Sequence, residues 1–397
     1  MKKSVKVLLG GLAAAGLLLA GCGASVVTPA SPSVEARSDA ATPAAVTTGA
    51  DPGVAAAREL VAQVTAAREE FTPPGPGLDD LSGLTGKTVY YVPANYSIPL
   101  FRIIGDSLAT ALETAGVDVR VCDGQASPAS MAGCLAEAVE AGADAVVSGS
   151  VPEELASVAF QAVRDADIPL LYMLLAPAGP GTPEKVGYLT PDTTTLQSWN
   201  ANWVMADSDG AADVLVVRVT DTPATTMWTG QGAVAVFEEA CEGCTVTVVE
   251  TNTGQLHKLP GLVHEALVRH PDIDYVQVPF DVVVQPTVQG LQSAGRTDVR
   301  ISSLDGTLAV MQMLGGDQVV ASEVGTNLDA LGWYGADQVL RMMSGKPSVQ
   351  NLEFPYRRLF TAENVGELDL TPEAEAAGSW YGGTDYQDGF KELWGVS

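Results

Sequence analysis

Two aspartates stand where strand-like runs end: Asp281 in "YVQVPFDVVVQ" and Asp305 in "VRISSLDGT". A carboxylate in that place can form a turn, accept hydrogen bonds from a ligand, or serve as one of a catalytic pair. Asp281 could equally cap the following helix by accepting from its first free N–H groups. Phe280 beside it offers an apolar ring. Earlier in the chain "PANYSIPLF" supplies Asn95, Tyr96 and Phe101, an amide and flat rings able to hydrogen-bond a small polyol and stack on its carbon face. Ser148 and Ser150 follow "ADAVV" in the same manner.

Other arrangements carry less chemistry. The histidines His257, His264 and His270 show no HExxH spacing, and no GxSxG elbow is present. "GQGAVA", Gly230 to Ala235, fits GxGxxA superficially. It lies eleven residues past Val219, where a dinucleotide fingerprint needs an immediate turn, so it reads as a helix start. "DSDGAAD", Asp207 to Asp213, lacks the spacing of a calcium loop and reads as a turn. No cofactor or metal is expected.

The N-terminus joins three lysines to an uncharged run from Val7 to Gly21, shorter than the roughly 20 residues of a spanning helix. Residues 1–21 therefore read as a signal peptide. Leu19-Ala20-Gly21-Cys22 resembles a bacterial lipobox, with Cys22 lipidated and the protein held on the outside of the cell membrane. Outside the cytoplasm, the four remaining cysteines suggest disulfides, with the local pairs Cys122–Cys134 and Cys241–Cys244 preferred over a redox or zinc role for "CEGC".

Acidic residues number 48 against 21 basic ones, a net charge of -27, which repels nucleic acid and suits a soluble secreted surface. Residues 22–80 read as a tether: Ala, Ser, Thr and Pro up to about Thr48, then a short helix in "VAAARELVAQVTAAREEF" taken as part of a stalk, broken by "TPPGPG". From Lys87, strand-like runs alternate with helical patterns twice over, first from "TVYYV" to "IPLLYML" and again from "ADVLVVRV" to "VRISSLD". That rhythm predicts an α/β fold of two doubly wound parallel-sheet lobes, in which ligands sit beyond the strands' carboxyl ends.

The order of "ANYSIPLF", "AEAVEAGADAVVSGS", "HPDIDYVQVPFDVVVQPTVQGLQSAG" and "VRISSLDGT" resembles the type I periplasmic binding proteins, the ribose-binding-like solute receptors of ABC importers, over about Lys87 to Arg358. The resemblance implies lobes joined by three crossovers, 84–190 with 327–352 and 191–326 with 353–397, and a ligand enclosed when they hinge shut. It implies ligand contacts at Asn95, Tyr96 and Phe101, and makes Asp305 the acceptor from sugar hydroxyls, with Asp281 nearby. Where sugar-binding members commonly have an asparagine, this chain has Phe280. Where they have arginines it has Met173 or Leu174 in one region and Met227 beside Trp228 in the other. The pocket should therefore be less polar than that of a pentose or hexose receptor.

The expected function is a monomeric, lipid-anchored receptor that performs no chemistry, captures a sugar or sugar-like polyol and delivers it to an ABC permease. A receptor for a less polar solute, serving a sensor or an importer, is the alternative. An enzyme using Asp281 and Asp305 as paired carboxylates ranks below both, for want of any catalytic motif.

Overall fold

The computed structural model describes residues 51–397 except 69, 79, 176–181, 191, 316–317, 351, 353 and 397. The expected signal peptide, Cys22 and the start of the tether lie outside the described residues. Along the chain come α1 (Pro52–Val64), β1 (Thr88–Pro93), α2 (Pro99–Thr114), β2 (Asp118–Val121), α3 (Pro128–Glu140), β3 (Ala145–Gly149), α4 (Ser157–Asp165), β4 (Leu170–Met173) and β5 (Val186–Leu189). The second series is α5 (Thr193–Asp207), β6 (Asp213–Val219), α6 (Pro223–Thr229), α7 (Ala235–Ala240), β7 (Thr245–Thr251), α8 (Leu259–Arg269), β8 (Tyr275–Gln277), α9 (Val284–Ala294), β9 (Arg300–Asp305), α10 (Leu308–Met311) and β10 (Val320–Thr326). Then follow α11 (Leu328–Met343), β11 (Arg357–Thr361), α12 (Pro372–Ala376) and α13 (Tyr386–Trp394).

The strands form two sheets, ordered β2-β1-β3-β4-β5 and β11-β10-β9-β8-β6-β7. Every pairing is parallel except β10 with β11. The central strands are apolar on both faces, as a sheet covered on both sides requires, while the edge strands β2 and β7 are more exposed. In β1, Val89 and Tyr91 face one first-lobe core while Tyr90 and Val92 face the other. In β6, Leu215 and Val217 join one second-lobe core and Val214 and Val216 the other. These are the two parallel-sheet lobes expected from the alternating pattern. The chain crosses between them from β5 to α5, from β10 to α11, and from α11 back to β11.

Two segments depart from expectation. The pattern taken as a stalk does hold a helix, but α1 is part of the body: Ala57 is fully buried in the core that contains Leu196, Ala201 and Phe237 of the second lobe. An alanine-rich face lets the helix approach closely, which composition alone concealed. The last residues were expected within the second lobe. Instead Tyr386, Phe390 and Trp394 of α13 pack in the first-lobe core with Trp333 and Tyr334, so the chain end returns across the hinge. These rings bury large apolar areas that the first lobe alone can cover.

Candidate ligand site

Because the strands of both sheets other than β11 run parallel, the loops leaving β1, β3, β6, β8 and β9 place the candidate residues at strand carboxyl ends. Asp281 follows β8 and Asp305 ends β9, and the fold brings them together: the Asp281 N–H donates to Asp305 Oδ2 at 3.3 Å. Asp281 is 8% exposed and fully engaged. Its Oδ1 accepts from Ser303 Oγ at 2.7 Å, and its Oδ2 from the Thr307 N–H at 2.9 Å and Thr307 Oγ1 at 2.6 Å. No helix N–H bond of the kind expected for a cap is made by its side chain. Asp281 is thus a brace across the β9 turn.

Asp305 is partly exposed and sits at φ 142°, with Gly306 following at φ 78°. A non-glycine residue there is held against its backbone preference by its surroundings. Glu323 of β10, which the sequence reading passed over, fixes the same turn by accepting from the Gly306 N–H at 2.8 Å. An acidic side chain within the strand "VVASEVG" was the available signal, since unpaired acids seldom lie fully buried. Loss of hydration inside the packed turn, then the neighbouring charge of Asp281, pushes the Asp305 and Glu323 carboxyls well above the usual carboxylate range, Glu323 being fully buried and Asp305 keeping only part of its surface exposed. Burial also pushes Asp281 up to about 6, against the hydrogen bonds of Thr307 and Ser303. Tyr381 closes the back of this turn, its Oη buried and without a hydrogen-bond partner among the described residues.

The remaining candidates divide. Asn95 spends its carbonyl on the Ser97 N–H and hydroxyl, at 3.1 and 2.7 Å, leaving its amide NH2 as the group to offer. Tyr96 donates its hydroxyl to Asp106 at 2.9 Å, so only its ring remains available to stack; burial, then Asp106, pushes that phenol up to about 12. Phe101 is buried at 8% in the first turn of α2. Ser148 Oγ ends β3 buried and without a partner among the described residues, and Ser150 turns the chain at φ 57° while its N–H donates to Met173 O at 3.0 Å. Phe280 packs partly against the second-lobe core. Met227 is 44% exposed on α6 and Trp228 is half-buried.

Beyond α6 the chain makes a π-helical turn, Gly230–Val234. Gly232 there lets α5 come close, since a Cβ would lie 2.3 Å from Thr194 O. "GQGAVA" is therefore not the helix start expected from the sequence: the helix begins at α6 after Thr222, and the stretch is a π-helical turn between α6 and α7 that packs against α5.

A family model described as a periplasmic binding protein domain matches residues 89–347, well over half of the chain. The chain belongs to the periplasmic binding protein family. A Rhizobium meliloti protein named for rhizopine binding is 24% identical to this periplasmic binding protein over 261 residues, 64% of this chain and 82% of that one. The fold matches a Thermotoga lettingae 5-methylthioribose transporter solute-binding protein, solved with 5-methylthioribose. Its TM-score is 0.65 and its identity 16%, covering 77% of this chain and 96% of that one. It also matches a Bacillus halodurans ABC transporter solute-binding protein holding myo-inositol, with TM-score 0.63 and identity 16%, covering 72% and 97%.

The first disulfide borders the candidate loop, since Asp123 beside Cys122 accepts from the Tyr96 N–H at 2.8 Å. Cys122 and Cys134 are joined with Cα atoms 5.5 Å apart, and Cys241 and Cys244 with Cα atoms 5.4 Å apart. No helix among the described residues is long and apolar enough to cross a membrane.

Proposed function

We propose that this periplasmic binding protein is an extracytoplasmic receptor of an ABC importer, anchored through Cys22, which captures a sugar-like polyol between its lobes and hands it to the permease. It works as a monomer and without a cofactor. The observation that carries the reading is Asp305. It is partly exposed at a strand's carboxyl end, it receives one hydrogen bond, from Asp281, and it is held by Asp281 and the Gly306 turn. Such an acceptor suits the hydroxyl pairs of a polyol. Asn95, Ser148 and Ser150 offer further polar contacts, and Tyr96, Phe101 and Trp228 offer rings. The ligands named for the similar solved structures, 5-methylthioribose and myo-inositol, are polyhydroxylated and support the class.

Closure would follow as a population shift, because only the closed form contacts the ligand from both sides. Calorimetric titration of myo-inositol, 5-methylthioribose, pentoses and hexoses tests the reading. At least one should bind near micromolar affinity, worth about 8 kcal/mol, and Asp305→Asn should weaken it at least about tenfold. Absence of binding across that panel sinks the polyol reading.

A second reading rests on Met227, exposed at 44% beside Trp228. An apolar thioether and an indole at the mouth of β6 suit a ligand with an aromatic or alkylated face, such as a nucleoside. Preference for 5-methylthioribose over ribose, lost in Met227→Gln, would favour it.

A further inference from the structure

The family match begins at residue 89, yet the segment before it is packed against the protein at several points, with Val54, Ala57, Leu78, Leu81 and Leu84 buried. The segment is fastened at three places. On the second lobe, α1 buries Ala57, and Gly53 comes so close to Ala240 O that a Cβ would lie 2.0 Å away. At the hinge, Thr65 O accepts from Arg358 Nε at 2.8 Å, the Arg68 N–H donates to Tyr381 O at 2.8 Å, and the Gly383 N–H donates back to Arg68 O at 3.1 Å. Gly382 between them, at φ 124°, has no room for a Cβ, which would stand 1.8 Å from Arg68 O.

On the first lobe, Phe71 packs edge-on against Phe390 at 4.9 Å and Thr72 O accepts from Tyr334 Oη at 2.7 Å. The Leu78 N–H donates to Leu393 O at 2.8 Å, and Leu78, Leu81 and Leu84 are buried in the core. Between the first-lobe anchors Thr72 and Leu78 runs "TPPGPG", whose prolines keep that stretch extended, and the lobes are joined by the short span from Arg68 to Phe71. A segment held at both ends on different lobes resists any rotation that separates its anchors.

Its hinge contact reaches the site. Tyr381, whose carbonyl holds Arg68, places its ring 5.4 Å from Phe360 and its Oη against the backbone of Gly306 and Gly325. A Cβ on either glycine would lie 2.4 Å from that oxygen, so the tyrosine fills the space directly behind the turn carrying Asp305.

We propose that residues 51–84 form a strap that restrains the angle between the lobes and, through Tyr381, positions the Asp305–Thr307 turn. The positioning half rests on Asp305 facing the ligand; the restraint does not. By linkage, anything that shifts the strap shifts the open and closed populations, and occupancy of the site acts back on the strap. Tyr381 is a positioning residue: it acts on the ligand through the turn.

The test needs no ligand. A protease site inserted between Glu70 and Phe71 of the full chain, cut after folding, severs the strap between its second-lobe contact at Arg68 and its first-lobe contact at Phe71, leaving the anchors in place. Hydrogen exchange should then quicken about tenfold or more in the peptide 301–314 and stay unchanged in 88–93, as expected of local and not global opening. Distances between dyes at the exposed Val158 and Val268, one on each lobe, should spread. Tyr381→Leu should reproduce the exchange effect without cutting, and Tyr381→Phe, which keeps the ring, should not. Unchanged exchange and unchanged distances after cutting overturn the strap, and Tyr381→Leu quickening exchange equally in both peptides overturns the positioning role. Failure of every polyol to bind would sink the receptor reading and leave the strap result standing.

Discussion

Asp281 holds Thr307 twice, through the backbone N–H at 2.9 Å and the hydroxyl at 2.6 Å, and by doing so closes the turn that presents Asp305. A carboxylate receiving these bonds and that of Ser303 is structural before it is anything else. Asp281→Ala leaves the Thr307 N–H and Ser303 hydroxyl buried without an acceptor, at a cost of roughly 2–4 kcal/mol. Urea unfolding should show that loss, and titration with a ligand found by the polyol panel should show weaker binding in the fraction that stays folded.

The same cluster predicts how stability varies with pH. Asp281, Asp305 and Glu323 all have carboxyls raised in the folded state, chiefly by burial, Asp281 to about 6. The folded protein therefore binds more protons than the unfolded chain above a pH of about 4. The stabilisation is fully present below about pH 4 and is lost as pH rises through about 6 and beyond. The unfolding free energy from urea titrations should fall between pH 5 and pH 8 by about 1–3 kcal/mol. In Glu323→Gln, which removes one of the interacting charges, the decline should flatten; an equal decline in that variant would show that the cluster is not its source.

The two-lobed fold was legible because buried parallel strands and amphipathic helices leave a repeating pattern, and "VRISSLDGT" marked Asp305 because a strand stopped at an acid and a glycine. Asp281 was located, but its cap and its brace use the same residue type, and only the fold shows that its oxygens reach Ser303 and Thr307. Glu323 and Tyr381 were not legible as site residues, being brought to the turn from β10 and from the last crossing, some 18 and 76 positions beyond Asp305. The strap was missed for a different reason. Alanine-rich α1 has a weak apolar stripe, and its docking depends on glycines 53 and 382, whose close contacts have no periodic signature.

The first disulfide closes a loop of 12 residues between β2 and α3, and the second a loop of 3. Loop-closure entropy makes the first worth about 3 kcal/mol and the second clearly less. Peptide mapping without reductant should recover both pairs. The double substitution Cys122→Ser with Cys134→Ser should lower stability well beyond the effect of Cys241→Ser with Cys244→Ser.

Deep in the first lobe Asp337 accepts from Arg341 Nε at 2.7 Å and Nη2 at 3.0 Å, and from Trp394 Nε1 at 3.0 Å, tying α11 to α13. Both charges are almost wholly buried. Asp337→Ala strands the guanidinium and should cost about 3–5 kcal/mol, whereas the pair Asp337→Leu with Arg341→Met should recover part of that loss, since the stranded charge is gone while Trp394 Nε1 and Gln338 Nε2 still lose their acceptor. Chemical denaturation of the variants decides it, and equal losses in both would show that the lost packing of Asp337 matters more than the stranded charge.

Gly306 offers the sharpest check on the wall behind the site. Its φ of 78° and the Tyr381 oxygen 2.4 Å from any added Cβ each oppose a side chain. Gly306→Ala therefore combines an unfavourable left-handed backbone with overpacking, together about 2–4 kcal/mol. The two costs can be partly separated, because Tyr381→Phe removes the oxygen and leaves the backbone penalty and the Gly325 Cα 2.8 Å from the added Cβ. Thermal melts of the double variant Gly306→Ala with Tyr381→Phe should recover the part of the overpacking due to the oxygen. Recovery of that kind couples the two residues directly, while simple addition of two independent losses would place Tyr381 away from the turn in solution.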